Sequence, residues 1–217
     1  TANNIANAST TGFRGDRVSF GAALARAQSP DVALVGVSAT VADPTAGGLE
    51  QTTNPLDLAL EGDGFFAIET PGGVRYTRAG EFRLDPEGRI VNADGFAARG
   101  VGGGAVTVPE GTAAVRVDGE GAVYADDQEV GRLELARFAA GNLAKSGANM
   151  FVASGAPLPG DSAPEVVSGA LESSNVNVVR GVVDLVKVSR TYETLMRMIE
   201  GFKEVETRAA RELGGPK

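Results

Sequence analysis

The sequence predicts an α+β multidomain protein, in which terminal helices form a coiled-coil-like axial domain and an all-β domain lies outside it. Three observations predict this class. Short apolar stretches alternate with turn residues through the middle of the chain, which is typical of antiparallel sheets. The end of the chain instead repeats apolar residues at alternating spacings of three and four, as a long packed helix does. The first residues have the composition of a helix that ends at a glycine.

Composition narrows the possible functions. The chain has 217 residues, of which 42% are apolar, and it contains no cysteine, histidine or tryptophan. Disulfides, thiolate or histidine metal sites and a Ser-His-Asp triad are therefore excluded. The net charge of −8 is carried mainly by residues 31–170 without any basic stripe, which argues against nucleic-acid binding. No apolar run approaches the length of a membrane span, and nothing in the composition predicts a cofactor.

The N-terminal segment, residues 1–14, is predicted to be the end of a helix whose earlier part lies upstream of the given sequence. Its small and polar residues lead to Gly12, which can adopt the positive φ that ends a helix. Phe13 is expected to anchor the chain as it leaves this turn. Residues 15–47, rich in Ala, Gly, Ser and Pro, are interpreted as an extended connector with one short strand around residues 32–37.

The middle of the chain, residues 48–169, is predicted to be the β-rich outer domain. Residues 56–60 alternate with a period of two, and Thr70-Pro71-Gly72-Gly73 supplies a hairpin turn between two apolar stretches. Segment 139–169 is irregular, with only a weak strand near residues 150–152. The remaining strands are expected near residues 64–68, 74–77, 82–84, 89–91, 105–108, 114–117, 122–124 and 131–138.

The C-terminal segment, residues 170–217, is predicted to hold one long helix. Ser173, Ser174, Asn175 and Asn177 are capping candidates, and Gly214-Gly215-Pro216 gives a stop signal. A helix of about 36 residues would be about 54 Å long, which is more than a small β domain can cover. The predicted packing stripe, broken only by Glu206, comprises Leu185, Val188, Tyr192, Leu195, Ile199, Phe202, Ala209 and Leu213.

Two other local patterns favour structural roles over chemistry. Gly100, Gly102, Gly103 and Gly104 form a glycine-rich loop, but no Lys-Ser/Thr pair follows it as in a phosphate-binding loop. The carboxylates of Asp57, Glu61 and Asp63 would suit a cation site or an acid/base pair, although solvated strand ends are the commoner explanation. Two rival functions stay open on these features. One is a carboxylate-dependent hydrolase, and the other is a glycan-binding β module that dimerises through its helix.

Three blocks of sequence together resemble one family. The first is ANNIANASTTGFR at residues 2–14, and the second spans residues 48–100 with GLEQT, NPLD, GDGFF and YTRAG in that order. The third is LESSNVN at residues 171–177, followed by the stripe with RTYE at residues 190–193. Their order and content are similar to those of the flagellar basal-body rod and hook family. Within it, the modest length argues against hook members, residues 204–210 are similar to proximal rod members, and LESSNVNVV is equally similar to distal rod members.

The resemblance implies a structural subunit of the rod within the periplasm, and neither an enzyme nor a membrane-spanning protein. The N-terminal and C-terminal helices would form an inner tube around a central export channel, with the β domain outside. The implied partners are other rod subunits and copies of the chain in a helical array, and the flagellar export apparatus during secretion. Subunit packing is expected through Asn4, Asn7, Phe13, Leu185, Val188, Tyr192, Leu195, Ile199, Phe202 and Leu213.

Overall fold

The computed structural model describes residues 2–19, 39–139, 141–147, 149–159 and 164–213. The expected strand at residues 32–37 and the stop signal at residues 214–216 lie outside these ranges. In chain order the described elements are α1 (Ala2–Ala6), β1 (Asp16–Ser19), β2 (Ala39–Ala42), β3 (Leu49–Gln51), β4 (Leu58–Glu61), β5 (Phe65–Thr70), β6 (Gly73–Thr77), β7 (Arg83–Leu84), β8 (Ile90–Val91), β9 (Ala97–Ala98), β10 (Val115–Val117), β11 (Ala122–Ala125), β12 (Gln128–Arg132), β13 (Leu135–Ala136), β14 (Leu143–Lys145), β15 (Met150–Ala153), β16 (Glu165–Ser168), β17 (Ala170–Glu172) and α2 (Val178–Leu213).

The described N-terminal helix ends at Ala6, before the glycine at which the sequence predicts its end. α1 is followed by a turn that closes at Gly12, where φ is +65°. The next segment differs from the expected extended connector, because β1 pairs antiparallel with β2. Pairing gives the backbone N–H and C=O groups of both strands partners that an isolated connector would lack. The described parts of residues 15–47 therefore include a two-stranded ribbon formed by β1 and β2.

The largest sheet has the strand order β14-β15-β6-β5-β9-β8-β7, and β13 pairs with β5 beside it. All of these pairings are antiparallel. The hairpin predicted at residues 70–73 joins β5 to β6, with Thr70 opposite Gly73. Residues 105–108, predicted as a strand, contribute only isolated bridges at Ala105 and Thr107, although Val106 and Val108 are buried. The glycines of the 100–104 loop include three with positive φ, as a tight connector between strands requires.

The remaining strands complete the β domain, a name used here for strands β3 to β17. β10, β11 and β12 form a three-stranded sheet, while β16 pairs with β4 and β17 pairs with β3. The core between them is built from large apolar side chains, and the rings of Phe66 and Phe82 meet edge to face at 5.2 Å. Each such side chain stabilises the fold by about 1.5–3 kcal/mol. Other members of the core are Leu58, Leu60, Ile68, Ile90, Val123, Leu133 and Val166.

The C-terminal helix α2 has 36 residues, the length predicted from the stripe. It begins at Val178, because Asn177 is the N-cap and its side-chain oxygen accepts a hydrogen bond from the Arg180 N–H at 2.9 Å. Residues 170–172, which the sequence placed with the helix, form β17 and belong to the β domain instead. Within the described residues, no helix is both long enough and apolar enough to cross a bilayer.

Candidate functional site

The three sequence blocks meet at one place in the fold, which we call the motif junction. It is built from the turn at residues 10–15, the β6–β7 connection at residues 77–80 and residues 172–175. The Gly12 N–H donates to the Glu172 carbonyl at 2.7 Å, and the Asn175 N–H donates to the Phe13 carbonyl at 3.3 Å. A Cβ atom on Gly12 would lie 2.3 Å from the backbone nitrogen of Ala79, so only glycine allows this approach.

A buried ionic triad lies at the centre of the motif junction. The carboxylate of Glu172 is 2.9 Å from the Arg14 guanidinium and 3.2 Å from the Arg78 guanidinium. All three side chains are at most 3% exposed. Each member comes from a different block, so the triad connects segments that are far apart in the chain.

Backbone groups satisfy much of the remaining hydrogen-bonding capacity of the triad. The Gly47 N–H donates to Glu172 at 2.9 Å, and Arg14 donates to the Pro44 carbonyl at 3.0 Å. Arg78 donates to the carbonyls of Leu60 and Gly62 at 3.1 and 2.6 Å. Burial lowers the pKa of both arginines, while the charge of Glu172 acts in the opposite direction. Because arginine stays protonated in proteins, both guanidinium groups of the triad keep their positive charge.

The side chain of Asn175 joins the start of α2 to the rest of the motif junction. Its oxygen accepts from the Gly15 N–H at 2.7 Å, and its nitrogen donates to the carbonyls of Thr45 and Asp43 at 2.8 and 3.4 Å. Asn175 lies two residues before the N-cap of α2. It therefore positions the first turn of the helix relative to the N-terminal turn and the β1–β2 ribbon.

Asp16 connects α1 and the ribbon to the β domain. Its carboxylate accepts from Lys145 at 2.6 Å and from the Asn3 side chain at 2.8 Å. The Asn4 side chain bonds both the N–H and the carbonyl of Asp16, at 2.8 and 3.0 Å. Burial acts to raise the pKa of Asp16, but the hydrogen bonds from Lys145 and Asn3 outweigh it and the pKa is lowered.

Three of the expected subunit-packing residues make contacts within the chain. Phe13 is 1% exposed and lies under Lys145, whose Nζ is 4.1 Å from the ring centroid. It is buried because the Gly12 turn brings it against the β domain. Phe13 is therefore not available to another subunit, which differs from the expectation. Asn7 donates to the Asn3 carbonyl at 2.9 Å and accepts from the Thr10 hydroxyl at 3.3 Å. Together with the contacts of Asn4, these bonds assign the asparagines to the fold of the N-terminal turn.

The stripe on α2 has a different environment. Its side chains are exposed along the described helix, with Tyr192 at 64% and Phe202 at 71%. The contact between the helices lies at Gly181, where an added Cβ would be 3.0 Å from Cγ1 of Ile5. The surroundings of the Leu213 side chain are not among the described features of the helix. The other exposed stripe residues are Leu185, Val188, Leu195 and Ile199.

The alternative sites predicted from the sequence gain no support from their geometry. Within the described ranges, no group of three or more acidic side chains is placed to hold a metal ion, and Asp57 accepts a bond from Asn54 at 2.8 Å. One cleft lies between the β sheets near Asp118 and Arg132, and a second lies at the base of α2 near Asp16 and Arg180. Neither cleft is lined by an aromatic side chain, which a glycan site would be expected to use.

Sequence reasoning included Arg14, Arg78 and Glu172 in the family blocks without a role, and it gave Asn175 only the role of a capping candidate. A signal was present, because each of the three blocks carries a charged residue beside small or apolar residues. Pairing these charges required knowledge of which distant segments meet. The pattern of the sequence alone does not contain that information.

Comparison with known proteins identifies the family. The flagellar hook protein FlgE/F/G D1 domain matches residues 59–125, and the flagellar basal body rod FlgEFG protein C-terminal domain matches residues 167–212. The chain is 34% identical to the flagellar basal-body rod protein FlgF of Caulobacter vibrioides, over 98% of this chain and 90% of that protein. The chain belongs to the flagellar basal-body rod protein family.

Further rod proteins match over similar lengths. FlgF of Escherichia coli is 34% identical, over 96% of this chain and 89% of that protein. FlgG of Caulobacter vibrioides is 31% identical, over 91% of this chain and 86% of that protein. The triad spans both family domains, since Arg78 lies in the first matched range and Glu172 in the second.

Proposed function

We propose that the chain is a structural subunit of the flagellar basal-body rod, of the FlgF type. In this proposal it assembles helically with other rod subunits, and with copies of itself, into a tube that transmits torque around the export channel. The observation that carries the proposal is α2, a 36-residue helix whose large apolar side chains are exposed while the β domain buries its own core. Such a helix is stabilised mainly by packing against partners.

The FlgF type is favoured over the FlgG type by similarity to relatives from one organism. FlgF of Caulobacter vibrioides is 34% identical over 98% of the chain, and FlgG of the same organism is 31% identical over 91%. The distal rod, the FlgG type, remains the alternative. In either case the subunit lies in the rod within the periplasm, after passage through the flagellar export apparatus.

The proposed roles of the chain segments follow from the fold. Residues 1–14 and the helix α2 contribute to an axial domain, residues 15–47 connect it to the rest, and residues 48–169 together with β17 form the outer β domain. The stripe on α2, including Leu213, packs against neighbouring helices in a coiled-coil arrangement. Burying each large side chain should contribute about 1.5–3 kcal/mol, which repetition over many subunits turns into a stable polymer. The role is mechanical rather than catalytic, since the buried triad is closed to substrate.

The test is the variant Ile199→Asp, compared with Thr194→Asp. Ile199 is 46% exposed on the stripe, whereas Thr194 is exposed outside it, and its described hydrogen bond runs within the helix, to the Arg190 carbonyl at 2.9 Å. Both variants add the same charge to α2. Cells carrying Ile199→Asp in place of the normal chain should lack rods and fail to swim, because a carboxylate in the packed interface is left without a partner. Cells carrying Thr194→Asp should swim.

Purified Ile199→Asp protein should retain the circular dichroism and the unfolding midpoint of its β domain. That control separates an assembly defect from misfolding. Normal rods built from the Ile199→Asp variant would show that α2 does not pack through its stripe. The glycan-binding module would then become the function to test.

A further inference from the structure

Ser173 joins the β domain to the segment that leads into α2. Its N–H and its hydroxyl both donate to the carbonyl of Gly48, beside β3, at 2.8 and 3.0 Å. The contacts that follow are made with the Gly12 turn, residues 10–15. An added Cβ on Gly15 would lie only 3.2 Å from Cγ2 of Val176, so the two segments touch here. Just beyond Ser173, the chain therefore passes from the β domain onto the Gly12 turn.

Asn175 and Gly181 fix the base of α2 against the N-terminal segment. The Asn175 N–H donates to the Phe13 carbonyl at 3.3 Å, and its side-chain oxygen accepts from the Gly15 N–H at 2.7 Å. Farther along, an added Cβ on Gly181 would lie 3.0 Å from Cγ1 of Ile5, so α1 and α2 are in contact. Because these contacts all lead to residues before β1, the N-terminal segment is a direct support of α2.

The loop between β2 and β3 is a second support for the helix base. It accepts two hydrogen bonds from the side chain of Asn175, at 2.8 and 3.4 Å. The Gly12 turn holds this loop in place, since the Asp43 N–H donates to the Gly15 carbonyl at 2.7 Å. Arg14 also donates to the Pro44 carbonyl at 3.0 Å. Both supports of α2 therefore depend on where the Gly12 turn lies.

The Gly12 turn is itself docked on the β domain. The Gly12 N–H donates to the Glu172 carbonyl at 2.7 Å, and the Thr11 hydroxyl donates to the Glu81 carboxylate at 2.6 Å. The Phe13 side chain is 1% exposed in this position. The path from α2 to the β domain thus runs from the base of the helix, through the turn, to β17 and the β6–β7 connection.

Charge makes the Gly12 turn separable from the β domain. Arg78 and Glu172 both belong to the β domain, and at 3.2 Å they form a neutral pair without help from the turn. Docking adds Arg14 as a second guanidinium, 2.9 Å from the same carboxylate. A buried charge is most costly when it has no partner, and release of the turn leaves Glu172 paired with Arg78. The β domain can therefore keep its fold while the turn is released.

We propose that the motif junction couples the two ends of the chain, so that α2 keeps a fixed direction only while the Gly12 turn is docked. Release of the turn removes both supports of the helix base and frees α2 to swing about the link at Ser174. The coupling is reciprocal, because a coupling free energy between two sites acts equally in both directions. Loss of the contacts at Asn175 therefore loosens the turn as well. This inference goes beyond the proposed function, since it concerns the single chain, and its failure would leave the rod function standing.

The test begins with Gly12→Ala, which prevents docking of the turn. The added Cβ would lie 2.3 Å from the backbone nitrogen of Ala79, and the residue would keep a strained φ of +65°. The matched control is Gly111→Ala, where φ is +82° but an added Cβ meets no described atom within 4 Å. Both variants strain the backbone, whereas only the first forces the turn away from the β domain.

Two pairs of spin labels on the full chain separate helix motion from misfolding. The chain has no cysteine, so introduced cysteines take the labels selectively. Labels at Asp94 and Glu204 follow the direction of α2, and labels at Asp94 and Gln128 follow the β domain alone; all three residues are exposed. In Gly12→Ala, the Asp94–Glu204 distances should broaden while the Asp94–Gln128 distances stay sharp. In Gly111→Ala, both sets of distances should stay sharp.

A second variant acts on the turn without straining the backbone. Arg14→Met removes the charged anchor of the turn but leaves the neutral pair of the β domain intact, so the α2 distances should broaden again. An α2 that keeps its direction in both Gly12→Ala and Arg14→Met would overturn the proposal. Equal broadening of the β-domain distances in both variants would overturn it too, because the turn would then be part of the core.

The reciprocal effect is measured from the other end of the junction. Labels at Ser9, which is exposed, and at Asp94 follow the position of the Gly12 turn. Asn175→Ala should broaden these distances, and Ser174→Ala should leave them sharp. A purely local role of Asn175 at the helix base would not move a label at Ser9, so sharp distances in Asn175→Ala would overturn the coupling. The rod function is decided separately, by the Ile199→Asp experiment.

Discussion

At the scale of single residues, Glu172 is the centre of the motif junction. Its carboxylate pairs with Arg14 and Arg78 in surroundings where each side chain is at most 3% exposed. Buried charges are costly to desolvate, and apolar residues of the same shape often stabilise a fold as well or better. We therefore interpret the triad as a device that specifies how three distant segments meet.

The first prediction concerns this triad. Glu172→Gln should lower the free energy of unfolding by about 3–5 kcal/mol, because it leaves two buried guanidinium groups without their anion. Urea denaturation of the purified chain measures the change. The control is Glu87→Gln, since the Glu87 side chain is 66% exposed and lies 3.5 Å from Arg89. It should cost less than about 1 kcal/mol. Equal effects of the two variants would contradict the assignment.

The second prediction concerns acid and Asp16. Because the folded pKa of Asp16 is lowered, its charge stabilises the fold above the unfolded pKa, about 3.9. That contribution is lost as the pH falls through the folded pKa. Asp16→Asn should therefore destabilise the chain at pH 7 and lose this effect in strong acid. Denaturation of both proteins at several pH values measures it, and a difference that does not change with pH would refute it.

At the scale of elements, α2 and the β5–β6 hairpin were predictable because their signals are local. The helix needs only a period of three and four with a cap, and the hairpin needs only a turn between two apolar stretches. The pairings of β1 with β2 and of β17 with β3 were not predictable. Their partners are separated along the chain, and no local pattern states which strands meet.

The same reasoning explains what was missed at the candidate site. The exposure of the stripe residues follows from a helix too long for its β domain, and the sequence predicted that length. The burial of Phe13 depends on where the Gly12 turn places the chain against the β domain. Tertiary contacts of this kind decide whether a residue faces a neighbour or the core. They are fixed only when the whole fold forms.

The third prediction concerns the attachment of α2. Asn175→Ala removes the hydrogen bonds to Gly15, Thr45 and Asp43, and should cost about 1–3 kcal/mol. The helix should also lose its fixed direction. Distances between spin labels placed at Asp94 and Glu204 should broaden in the variant. The control is Ser174→Ala, because the described contact of Ser174 is local, with its hydroxyl oxygen accepting from the Val176 N–H at 3.3 Å. An unchanged distance distribution in Asn175→Ala would contradict this role.

At the scale of the whole molecule, the chain combines a buried β core with a long helix whose apolar residues are exposed. The motif junction joins the two parts through contacts from both ends of the chain. This arrangement suits a subunit whose helix is stabilised in an assembly and whose β domain folds around its own core. A structural role of this kind in the rod requires no reactive group.

The central claim is that this chain is a rod subunit that packs through α2. Electron cryo-microscopy of basal bodies purified from the source bacterium, with side-chain density fitted to this sequence, tests it most directly. The account predicts that the chain lies in the rod, with Leu185, Tyr192 and Ile199 packed against neighbouring helices of the inner tube. Its level along the rod would then decide between the FlgF and FlgG types. A rod fully accounted for by other chains would contradict the claim.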